Sequence, residues 1–275
     1  MKTISLICSD IDGTLLNDAK KINNYDKEML TRAYKEKNIP LILASGRFKG
    51  GLTFLAEELG IPCGYSCFNG AYIELENKVI KDIRIGLEEL KKVIPIIKGN
   101  GSYPFIFGLD SCFVEDDGYW YQELKKIFSF DSKIAPLEDL IKEWEETGYR
   151  PFKMLAKDHN PENLIRTQEL IKEAHIDNID TYLSNPHILE IVPKGINKGA
   201  TVKLVADFMN ITTDNVMSFG DYNNDLELLA ESGFGIAMDN AVDEVKAVAY
   251  AVTDSNNNSG IGKAIAKYIF CEDDK

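Results

Sequence analysis

Apolar runs of strand length alternate along the chain with longer stretches in which apolar residues recur every three or four positions. The run at 4–9 reads as a buried strand. A helical pattern over 25–37 follows, with Met29, Leu30, Ala33 and Tyr34 on one face, and then a second buried strand at 39–44. The spacing next predicts a helix over 52–59, stopped by Gly60 as a C-terminal cap, and a third strand at 63–68. The last third repeats this rhythm with a helix at 199–209, a strand at 216–219 and a helix at 224–231. Strands at 235–238 and 250–253 and helices at 242–249 and 261–270 complete it. Such alternation predicts an α/β fold with a Rossmann-like, parallel-sheet core.

Between 83 and 188 the texture changes. Helical patterns over 87–98, 121–128, 137–146 and 161–175 are separated by short mixed segments at 105–107, 111–115 and 152–156, as for an antiparallel sheet. An α+β domain inserted at 83–188 is expected, leaving a discontinuous core of 1–82 and 189–275. The acidic stretch at 272–274 is expected to fray.

At 275 residues and 44% hydrophobic content the chain can bury one large core or two smaller ones. Its 31 basic and 44 acidic residues give a net charge of −13, which argues against a nucleic-acid or anionic-membrane partner. An anionic substrate would need local positive groups. The first apolar run is short and is interrupted by Asp10, so neither a secretory signal nor a membrane span is expected, and the protein reads as cytoplasmic. Of five cysteines, Cys8, Cys63 and Cys67 lie in apolar surroundings without CxxC spacing, as buried thiols do.

Candidate chemistry begins where the first strand ends, at Asp10-Ile11-Asp12-Gly13-Thr14. Successive strand residues point to opposite faces, so Asp10 and Asp12 aim the same way with Ile11 turned between them, and like charges at that distance need a cation or a proton between them. A hard, oxygen-seeking ion such as Mg²⁺ suits that need and also neutralises phosphoryl oxygens. Gly13 permits a sharp turn that presents backbone N–H groups to an anion. A polar turn would explain a lone Asp-X-Asp, but the longer string arises by chance on the order of a few times per thousand chains of this length.

Three further clusters fall where core strands would end, the place where open α/β sheets bind ligands. Ser45 and Gly46, with Arg47, offer a hydroxyl and an N–H to a phosphoryl oxygen. Lys198 stands just before a helix, where a lysine is mildly unfavourable, so a functional reason gains weight; Lys194 is its rival. In Gly220-Asp221-Tyr222-Asn223-Asn224-Asp225, Asp221 would supply another carboxylate to the ion, while Asn224 and Asp225 could hold phosphate or metal-bound water. Helix capping is the plainer reading of Asn223.

Taken in order, these clusters resemble the four motifs of the haloacid dehalogenase superfamily of phosphohydrolases. Ala237-Met238-Asp239-Asn240-Ala241, Val245-Lys246 and Asn69-Gly70-Ala71 resemble its Cof-type branch, whose α/β cap matches 83–188 in place and size. The resemblance implies a two-step phosphoryl transfer. Asp10 would attack phosphorus, with Mg²⁺ on its other oxygen, on the backbone carbonyl of Asp12 and on Asp221. Ser45, Gly46, Lys198, Asn224 and the backbone of Ile11 would bind the phosphoryl oxygens. Asp12 would protonate the leaving alkoxide and then deprotonate the hydrolytic water. Its carboxylate distinguishes a phosphatase from the related cation pumps, which carry threonine there, and from a dehalogenase.

A small phosphorylated metabolite, sugar phosphates first, is the expected substrate, with a phosphomutase or a non-catalytic phosphate-binding regulator as alternatives. The resemblance has the cap close over the leaving group. Tyr119, Trp120 and Tyr182 could stack on a ring there, though core packing is the commoner role. One closed active site per chain accords with a monomer.

Overall fold

The computed structural model describes residues 3–127 and 131–272. Phe128, at the end of the helix expected over 121–128, and residues 273–274 of the acidic stretch lie outside that range.

The first half of the core runs β1 (Leu6–Ser9), α1 (Asn24–Lys37), β2 (Leu41–Ala44), α2 (Gly50–Leu59) and β3 (Cys63–Cys67), close to expectation. Every residue of β1 and β2 is buried, as central parallel strands covered on both faces should be. The strands β4 (Tyr72–Leu75) and β5 (Lys78–Asp82) were not expected. They form an antiparallel hairpin through Glu76 and Asn77, both in the left-handed region (φ 53° and 60°). Glutamate is rare in such a turn, and the usual Asn-Gly or Asp-Gly signal is missing.

After β5 come α3 (Leu87–Gly99), β6 (Tyr103–Phe107), β7 (Ser111–Val114), α4 (Tyr119–Ile127), β8 (Asp131–Ile134) and α5 (Leu137–Thr147). These are followed by β9 (Lys153–Lys157), α6 (Pro161–Glu173), β10 (Ile179–Asn185) and β11 (Ile188–Pro193). The six strands form one sheet in the order β10-β11-β9-β6-β7-β8, antiparallel throughout except for the parallel β7–β8 pair. Leu90, Ile97, Leu140, Trp144 and Leu164 of α3, α5 and α6 pack with Ile106, Met154 and Leu189 of the sheet in one apolar core.

The core resumes with α7 (Gly199–Met209), β12 (Val216–Gly220), α8 (Leu226–Ala230), β13 (Phe234–Ala237), α9 (Asp243–Val248), β14 (Ala251–Val252) and α10 (Gly260–Ile265). The helix expected at 224–231 begins as a 3-10 turn, and the one at 261–270 ends as a π-turn over Ala266–Phe270.

The chain divides into two compact units: Met1–Arg47, Leu52–Asp82 and Asn197–Lys275 in the first, Phe48–Gly51 and Ile83–Ile196 in the second. The second reaches beyond the expected limit of 188 because β11 pairs with β9 and β10. In the first unit the sheet order is β14-β13-β12-β1-β2-β3-β4-β5, parallel from β14 to β3. Strand order reverses at β1, with β2 on one side and β12 on the other, which makes the carboxyl ends of these three strands the expected ligand crevice.

Candidate active site

Those three strand ends carry the residues singled out from sequence. Asp10 follows β1, its backbone N–H continuing the parallel ladder to the Phe219 carbonyl at 3.0 Å. Ser45 follows β2 and donates its own N–H to Ser66 of β3 at 2.8 Å. Asp221 follows β12. Lys198 precedes α7 and sends its side chain inward rather than to solvent, where only 1% of the residue is exposed.

There Lys198 Nζ meets Asp10 Oδ1 at 2.5 Å and Asp225 Oδ1 at 2.6 Å. The other oxygen of Asp225 accepts the backbone N–H groups of Asp221 and Tyr222 at 3.0 and 3.1 Å. Asp225 therefore fixes both the lysine and the turn that presents Asp221, a role the sequence reading did not give it. Thr14 donates its hydroxyl to Asp221 Oδ1 at 2.7 Å. Gly13, at φ +85°, lies so close to Asp221 that an added Cβ would stand 2.9 Å from the carboxyl carbon. No other residue tolerates both the dihedral and the approach.

Carboxylate oxygens of Asp10, Asp221 and Asp225 all lie within 4.8 Å of one another. Two buried acids and the half-buried Asp221 face one ammonium, and the charges respond accordingly. Burial, with the Asp225 and Asp221 carboxylates, pushes Asp10 up to about 8 despite Lys198. Burial also lifts Asp221 to about 6, although the Thr14 hydrogen bond pulls the other way. Burial opposes the charge on Lys198, but Asp10 and Asp225 outweigh it and hold the ammonium protonated. An all-oxygen cluster with surplus negative charge is the donor set of a hard divalent cation. The expected metal residues Asp10 and Asp221 are thus brought together.

The carboxylate of Asp12 is not in that cluster. β1 stops at Ser9, the alternation that would have aligned Asp10 with Asp12 lapses, and the Asp12 side chain remains 44% exposed. Arg47 grips it through Nε at 2.9 Å and Nη2 at 2.8 Å, and Lys20 adds a contact at 3.0 Å. Burial would raise Asp12, but these two cations prevail and hold it below the usual carboxylate range. Lys20 escaped the sequence reading: it is eight positions away in a left-handed loop residue (φ 58°), and nothing in its neighbourhood marks it.

Ser45 is buried and its Oγ accepts the Arg47 N–H at 3.2 Å. Asn69, held by its N–H to the Ser45 carbonyl at 2.9 Å, lies against Gly46 and takes the Asn224 amide at 3.4 Å. Ser45, Gly46, Asn69 and Asn224 therefore form one polar edge. Ile11 is buried, with its carbonyl accepting the N–H of Leu16 at 2.9 Å. The rival Lys194 is exposed and belongs to the second unit. There Trp120 stacks on His159 at 4.3 Å between ring centres, Tyr182 bonds to Glu190, and Tyr119 is exposed instead of buried.

The family model for haloacid dehalogenase-like hydrolases matches residues 7–265. The chain belongs to this family. Among relatives of the hydrolase, a 5-amino-6-(5-phospho-D-ribitylamino)uracil phosphatase of Bacillus subtilis is 28% identical, covering 97% of this chain and 96% of its own. A second Bacillus subtilis phosphatase of that description is 25% identical over 96% and 97%. A haloacid dehalogenase-like hydrolase from Bacteroides thetaiotaomicron superposes with a TM-score of 0.87 at 26% identity, covering 96% of this chain and 99% of that structure. A Thermotoga maritima structure gives 0.86 at 27%, covering 96% and 97%. The chain is an enzyme of the phosphatase class, with the Cof-type form of the fold. No helix among the described residues is long and apolar enough to cross a membrane.

Proposed function

We propose that this hydrolase is a Mg²⁺-dependent phosphatase acting on a small phosphorylated metabolite through an aspartyl phosphate on Asp10. The observation that carries the reading is the buried Asp10–Lys198–Asp225 ion-pair chain with Asp221 beside it, at the carboxyl ends of adjacent parallel strands. Asp10, Asp221 and the Asp12 backbone carbonyl are the groups that would hold the ion, which when bound neutralises charge on the phosphoryl oxygens.

In the first step an Asp10 oxygen forms a bond to phosphorus while the bond to the ester oxygen breaks. Lys198 holds the nucleophile through Oδ1 and, permanently protonated, opposes the charge that gathers on the transferred group. Ser45, Gly46, Asn224 and the Ile11 backbone bind its oxygens. Asp12 hands a proton to the departing alkoxide. In the second step Asp12 takes a proton from water, which attacks phosphorus and returns Asp10 as carboxylate. The Arg47 and Lys20 contacts suit Asp12 to this second role and oppose the first, so its proton uptake requires Arg47 to loosen its grip.

Sugar phosphates are the substrates to test first, followed by 5-amino-6-(5-phospho-D-ribitylamino)uracil, for which the two relatives above are named. A panel of phosphorylated metabolites assayed for Mg²⁺-dependent phosphate release should give a few strong responses. A flat profile at background would overturn the metabolic-phosphatase reading, and an isomer in place of free phosphate would point to a mutase.

A further inference from the structure

The segment Ala237-Met238-Asp239-Asn240-Ala241 carries none of the roles above, yet it touches two of the loops that build the site. Its backbone binds the Asp221 loop: the Met238 N–H meets the Gly220 carbonyl at 3.1 Å, and the N–H of Val242, just beyond it, meets the Asp221 carbonyl at 3.0 Å. Its one amide side chain binds the Asp10 loop, Asn240 Nδ2 donating to the Gly13 carbonyl at 2.8 Å. That carbonyl belongs to the peptide leading into Thr14, whose hydroxyl holds Asp221.

The other end of the Asn240 amide is also engaged. Its Oδ1 accepts the backbone N–H of Asn256 at 2.9 Å. Asn256 is 2% exposed, and its own amide donates to the Leu16 carbonyl at 3.0 Å and to Asp18 Oδ1 at 3.3 Å. Its backbone carbonyl takes the Asn23 amide at 2.7 Å. Two linked asparagines thus hold the loop that follows Asp10 and Asp12 at Gly13, at Leu16 and at Asp18. The buried Asn256 amide, satisfied on both sides, fixes its stretch of backbone in one arrangement, and Asn240 is tied to it through the Asn256 N–H.

We propose that Asn240 is a positioning residue: by holding the Gly13 carbonyl it sets the Gly13–Thr14 peptide against Asp221 and so aligns the Asp10 loop with the Asp221 loop. The proposal rests on the phosphatase reading of the same site. Asn240 is exposed, so water competes for its bonds and the expected effect is moderate.

The test compares Asn240→Ala and Asn240→Asp with the parent; the aspartate keeps the acceptor toward Asn256 and removes the donor toward Gly13. Both should lose roughly tenfold in kcat, about one hydrogen bond's worth, with KM within twofold. Mg²⁺ affinity by calorimetry should weaken severalfold in both, at a nearly unchanged Tm. Asn257→Ala, which cuts exposed bonds to Asp18 at the same rim, should match the parent in kcat and Mg²⁺ affinity. Parent-like kcat and Mg²⁺ affinity in Asn240→Asp would overturn the proposal, as would an equal loss in Asn257→Ala. Failure of the phosphatase reading looks different: the parent releases no phosphate, or Asp10→Asn releases it at the parent rate. In that event the Mg²⁺ affinities of the Asn240 variants decide the positioning role on their own.

Discussion

Lys198 sits between two buried carboxylates, and removing one partner of such a group costs more than the contact is worth, because the others are left charged in a dry site. Lys198→Ala should therefore abolish turnover and also lower stability by about 3–5 kcal/mol, read by urea denaturation in the metal-free protein. Asp10→Asn should abolish turnover too, with stability near the parent value, since the amide oxygen still accepts from Lys198 while one repelling acid disappears. A parent-like rate in a folded Asp10→Asn would refute Asp10 as nucleophile. At this scale the residue types of the candidate site were legible and the contacts they make in the structure were not. The residue types at strand ends marked Asp10, Ser45, Lys198 and Asp221, because a charge after a buried apolar run needs a reason. The pairing of Lys198 with Asp225, and of Asp12 with Lys20 and Arg47, depends on where loops come to rest, which no local pattern encodes.

At the scale of elements, α7 presents Lys198 and begins at Gly199, which is pressed against α8: an added Cβ would lie 2.6 Å from Glu227 Cβ and 2.9 Å from its carbonyl oxygen. Gly199→Ala should push the two helices apart, costing about 1–3 kcal/mol and shifting Lys198 enough to reduce kcat. The joint between α1 and α10 offers a different test. Asp26 of α1 is fully buried and accepts the Gly262 N–H at 2.6 Å, and burial pushes its carboxyl up to about 6 from an ordinary 3.8. A raised carboxyl binds its proton more tightly in the folded state, so its contribution is fully present below about pH 4 and is lost as pH rises through 6. Stability of the parent should fall relative to Asp26→Asn across that window, by at most about 3 kcal/mol. A constant difference between the two from pH 4 to 7 would refute the assignment. Long buried strands and amphipathic helices were readable from apolar spacing, whereas β4, β5, β8, β10 and β11 were not. β5 and β10 are largely exposed and carry no clear apolar alternation, β4 is buried but short, β11 is largely buried, and the β4–β5 turn lacks the usual residues.

For the whole molecule, a bound divalent cation would relieve the surplus charge of the acidic cluster, so millimolar Mg²⁺ should raise Tm in the parent and much less in Asp221→Ala, measured by differential scanning calorimetry. Equal shifts in both proteins would separate the ion from Asp221. The change of texture after residue 82 coincides with the start of the second unit's long continuous stretch at Ile83, while the far limit of that stretch was not legible, because β11 is as apolar as a core strand and only its pairing assigns it. The central strand β1 also fixes an order of events in time. Its neighbour β12 and the lysine that meets Asp10, 188 positions away, are made by the ribosome long after it. Residues of the second unit from Ile83 to Ile196 are continuous in the chain and emerge first as a complete set. Loop closure over such a distance is slow, so in refolding followed by pulsed hydrogen exchange the β6–β9 ladder should gain protection before the β1–β12 ladder does.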